Sequence, residues 1–122
     1  MLRENLNKLL IPLDPLDVDH LEEYLLENVF NTVLTLIHFK EVLNKDISRE
    51  KQFIEDIDFN NDLSYILSLY NKVEEMIVKE KRNVGKMNIS ETYKDILIEF
   101  LSTLNNRMIN NRYMKKYLNK LI

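Results

Sequence analysis

Residues able to carry chemistry are few in this chain. His20 and His38 are the only imidazoles, and cysteine is absent. Thiol catalysis, cysteine-based zinc sites and disulfide scaffolds are therefore excluded. Neither histidine lies in a motif beside a serine, so the sequence carries no nucleophilic-triad signature. One glycine is too few for a phosphate-binding loop or a dinucleotide fingerprint. Asp56-x-Asp58-x-Asn60 has the spacing that opens a calcium loop. Such a loop then needs Gly and Glu where this chain has Asn61 and Leu67. The segment reads as a polar helix break.

One constellation survives this screen. His20-x-x-Glu23 and His38-x-x-Glu41 fall on the same stripe of one helix, and Asp17 adds a carboxylate to the first. Along a helix the two histidines stand about 27 Å apart, too far to share an ion. Only an antiparallel homodimer crossing near Val29 would set His20 and Asp17 against the other copy's His38 and Glu41. Di-iron bundles use the reverse order, Glu-x-x-His, which is absent. The stripe reads as solvated polar surface, and no cofactor or metal is expected.

Charge gives a second candidate. All 20 acids and 12 of the 17 bases precede Arg107, so that part carries −8. Asp14, Asp17, Asp19, Glu22, Glu23 and Glu27 cluster with no base among them. From Arg107 onward come Arg107, Arg112, Lys115, Lys116 and Lys120 with no acid, interleaved with Tyr113 and Tyr117. These seven residues are the candidate partner-binding set. They could meet the chain's own acidic helix start, a protein partner, or nucleic-acid phosphates with the tyrosines stacking on bases. The pI of about 5.4 argues against nucleic acid as the main partner.

The elements that must carry these residues are helices. One Gly and two Pro leave almost no punctuation for a β protein. Apolar residues recur at period 3.6 throughout. Residues 1–10 form a short amphipathic helix through Leu2, Leu6, Leu9 and Leu10. Asp14 as cap, Pro15 at the first turn and Asp17 near the dipole predict a long helix from Pro15 to about Asn44. Its apolar arc runs through Leu25, Leu26, Val29, Phe30, Val33, Leu36 and Ile37, wide enough for a central helix with several neighbours. Asp46 or Ser48 starts a short helix with Phe53, Ile54 and Ile57. A further long helix spans about Asp62 to Asn83 on Leu63, Ile66, Leu67, Tyr70, Val73 and Ile77, with Gly85 as its C-terminal cap. Asn88 or Ser90 starts the last, seamed by Tyr93, Ile96, Leu97, Phe100, Leu101, Leu104 and Met108.

The chain is thus expected to be all-α: an antiparallel bundle of three long helices plus two or three short ones, one domain over 1–122 with a basic C-terminal helix at about 107–122. No signal-peptide core or membrane span is present, so a cytoplasmic address is expected. Alanine is absent, and Asn, Lys, Ile, Tyr and Phe are abundant. That bias fits an AT-rich genome, viral, parasitic or bacterial. No converging polar pocket can be assembled, and no small-molecule substrate is inferred. The expected function is a non-enzymatic interaction module: a subunit of an assembly, or an inhibitor or adaptor. Its apolar seams exceed what one small core should hide, which favours a protein partner or a homodimer. The alternative is a small nucleic-acid-binding regulator using the basic C-terminal helix.

Overall fold

The computed structural model describes residues 2–11, 20–60 and 62–109, and is helical throughout with no strand among them. Five helices follow in order: α1 (Leu2–Asn7), α2 (Leu21–Val42), α3 (Ser48–Glu55), α4 (Leu63–Gly85) and α5 (Glu91–Ile109). α4 packs against both α2 and α5. α3 lies on α2, and α1 lies on α5.

Helix boundaries follow local chemistry. Among the described residues α2 runs from Leu21, and the preceding His20 holds a non-helical backbone (φ −123°, ψ 45°). The predicted Asp14–Pro15–Asp17 start lies outside the described residues. At the other end Asn44 takes a positive φ of 55°. The Asn44 N–H donates to the Glu41 carbonyl at 3.0 Å, and the Lys45 N–H donates to the Lys40 carbonyl at 2.9 Å. This is a Schellman motif, with Asn in the left-handed position that glycine usually takes.

Asp62 caps α4 by accepting the Tyr65 N–H at 3.0 Å. The expected cap at Gly85 is not formed: Gly85 is the last residue of α4, Lys86 is the cap with φ −95°, and no glycine has positive φ. Ser90 opens α5, its hydroxyl accepting the Tyr93 N–H at 3.3 Å.

α2 buries a second face beyond its apolar arc. A second buried stripe runs through Asn28, Thr32, Thr35 and Phe39 at helical spacing. Its polar groups are partnered inside. The Asn28 amide donates to the Tyr70 hydroxyl at 2.8 Å. Thr32 and Thr35 hydroxyls donate to the Asn28 and Asn31 carbonyls within the helix. Phe39 stacks on Phe100, centroids 5.3 Å apart. Thr35, three residues before the exposed His38, is 1% exposed.

The seams close within one chain. Val29, Val33, Ile66, Val73, Ile77, Leu97 and Leu101 are all fully enclosed. Among the described residues only Val42, Phe59 and Tyr93 are large apolar side chains left exposed. Tyr93 therefore lies off the seam, and among the described residues the expected surplus of apolar surface is not found. α1 and α3 supply the missing cover, through Leu6 and through Phe53 and Ile54.

Candidate functional site

Three of the helices carry a charged residue on an apolar stripe. On α2, Lys40 continues the line Val33, Ile37. On α4, Glu80 falls between Ile77 and Val84. On α3, Glu50 precedes Ile54 and, just past the helix, Ile57 at the same spacing. The fold brings all three charges together. Lys40 donates to the Glu50 carboxylate and stands 3.8 Å from Glu80, while Lys45 donates to Glu80. Glu50 and Glu80 are only 6% and 3% exposed. The Schellman turn at Asn44 folds Lys45 back to reach Glu80, beside the Lys40 of the preceding turn. The four charges cancel. One Glu50 oxygen, Oε2, is buried with no hydrogen-bond partner.

This tetrad floors an open cleft of about 600 Å³ between the end of α2, α3 and the second half of α4. Phe53, Met76 and Met87 form an apolar wall. Asp46, Arg49, Lys79 and Asn83 complete the lining. Asp46 accepts the Ser48 N–H at 3.1 Å and the Ser48 hydroxyl at 2.6 Å. The Ser48 hydroxyl, followed by its N–H, holds the Asp46 carboxyl below the usual carboxylate range. Arg49 and Lys79 are exposed and make no ion pair. The cleft lining contains no imidazole, hydroxyl or thiol. The groups it presents are fixed charges and apolar side chains.

The predicted basic set fares differently. Arg107 is half-buried and its guanidinium donates to the Ile11 carbonyl, an intramolecular tie between α5 and the end of the N-terminal segment. Burial lowers its pKa from the ordinary arginine value. Arg112, Tyr113, Lys115, Lys116, Tyr117 and Lys120 lie outside the described residues. His20 stands exposed at the start of α2, and its carbonyl accepts the Tyr24 N–H at 2.9 Å. His38 and Glu41 are exposed further along. Among the described residues no three His, Asp or Glu side chains converge to hold a metal. Val29, where a metal-bridged dimer would have to cross, is enclosed by its own chain.

A smaller groove of about 300 Å³ lies between α1 and α5, and its Arg3 and Glu99 pair with each other at 3.0 Å. Among the described residues no helix is long and apolar enough to cross a membrane.

Sequence reasoning missed Lys40, Lys45, Glu50 and Glu80. The signal was present. A charge in register with a buried stripe must either leave the stripe or find a partner. Which partner it finds depends on contacts between distant segments, such as Lys45 with Glu80, that spacing alone does not reveal. The chain matches no protein family, no curated protein and no solved structure.

Proposed function

We propose that this protein is a non-enzymatic interaction module, a subunit of a larger assembly or an inhibitor or adaptor, and that it engages a protein partner through the α2–α3–α4 face. In this reading α2, α4 and α5 form an antiparallel bundle that holds the face rigid. The observation that carries the reading is the cleft: a neutral ion-pair tetrad, its two carboxylates buried, beneath a lip with two unpaired cations and an apolar wall. Burying two carboxylates against half-buried lysines is a weak way to stabilise a fold, since apolar replacements often serve as well. A rigid polar floor under an open cleft suits recognition better than packing.

Affinity capture from a lysate of the native organism or host, with and without nuclease, tests the proposal. A stoichiometric protein partner retained after nuclease is the expected result. Loss of all bound material on nuclease treatment overturns it in favour of the nucleic-acid alternative through Lys115 and Lys116. An empty capture in both arms also overturns it.

A further inference from the structure

We infer that the cleft receives an acidic segment of the partner protein, with its carboxylates against Arg49 and Lys79 and an apolar side chain against Phe53, Met76 and Met87. The inference rests on the reading of the protein as a partner-binding module and gives that partner a chemistry. It follows from which charges in the cleft are already satisfied. Lys40 and Lys45 are held by Glu50 and Glu80. Asp46 is turned onto Ser48 at the start of α3. Arg49 and Lys79 alone face the cleft as cations without an ion pair. The cleft therefore carries one positive charge in excess, concentrated at its lip.

Charge complementarity selects an acidic occupant. The apolar wall selects among acidic occupants. A bare phosphate or nucleic-acid backbone would leave Phe53, Met76 and Met87 uncovered, whereas a peptide places an apolar side chain beside its carboxylates. An opening of about 600 Å³ is wide enough for one large side chain with its flanking backbone. The groove between α1 and α5 lacks this character, because Arg3 and Glu99 already satisfy each other.

The test selects a random-peptide phage library against the full-length protein, then measures the enriched peptides by fluorescence polarisation. Enriched peptides should combine Asp or Glu with Leu, Ile, Phe or Met. Arg49→Glu with Lys79→Glu should raise their Kd by about tenfold or more. Arg49→Gln with Lys79→Gln should act in the same direction, and both positions are exposed, so folding is retained and is checked by circular dichroism. Lys51→Glu, exposed on α3 but outside the cleft, should leave Kd within about twofold. Added salt should weaken binding to the wild type more than to the charge-reversed variant. Enrichment of neutral or basic peptides, no enrichment, or equal affinity for wild type and both lip variants would overturn the inference. If that happens while capture still yields a nuclease-resistant partner, the acidic segment falls and the interaction-module reading stands. Failure of both experiments removes both.

Discussion

Glu80 is the residue on which the site turns. Taking a carboxylate out of water costs on the order of several kcal/mol, and the cost is offset only by a close counter-charge. Lys45 provides it, with Lys40 at 3.8 Å as a second cation. Glu80→Leu should therefore destabilise the protein even though it places an apolar residue between Ile77 and Val84. It leaves Lys45 without its partner, and because the Lys45 side chain is 22% exposed it can turn partly to water. The expected loss is about 1–3 kcal/mol in urea denaturation. Lys45→Met added to Glu80→Leu should recover part of it, giving a coupling of about 1–2 kcal/mol in a double-mutant cycle. Additive effects of the two substitutions would show that the pair is not an energetic unit. A charged residue in register with Val73, Ile77 and Val84 was open to view in the sequence; its partner 35 positions away was not.

At the scale of elements, the end of α2 decides whether Lys40 and Lys45 can serve one site. The Schellman turn depends on Asn44 at φ 55°. A β-branched residue there meets a backbone clash that asparagine tolerates and glycine lacks. Asn44→Val should cost about 1–2 kcal/mol of stability. Asn44→Gly should stay within about 0.5 kcal/mol of wild type. Thermal unfolding of the two variants checks both, and equal losses would show that the positive φ carries no strain. Helix starts and seams were legible where local chemistry sets them. Asp62 and Ser90 cap where their side chains can accept an N–H, and the Leu97, Leu101, Leu104 and Met108 seam is buried as spaced. The second face of α2 was not legible. Asn28, Thr32 and Thr35 look like surface residues in a sequence, and only the Tyr70 hydroxyl and the helix's own carbonyls make them interior ones.

For the molecule as a whole, the described core is closed without a second copy. Ile66, Ile77, Leu97 and Leu101 are enclosed, and the exposed Val42, Phe59 and Tyr93 are single large side chains. Among the described residues an argument for self-association from leftover hydrophobic surface therefore has no support. The face that stands out is instead defined by charge: unpaired cations above a neutral ion-paired floor, on the side of the molecule formed by α3 and the second half of α4. Sequence reasoning placed its candidate site in the basic segment after Arg107. Of that set Arg107 itself is tied to Ile11 within the chain. The cleft could not be foreseen in this way, because its cations belong to three different segments with acids interspersed. The most direct test is hydrogen–deuterium exchange of the full-length protein with and without its captured protein partner. Slowed exchange at residues 45–54 and 76–87, with residues 2–10 and 96–103 unchanged, is the predicted result. Protection confined to the α1–α5 groove or to the segment from Arg107 onward would contradict the assignment of the binding face.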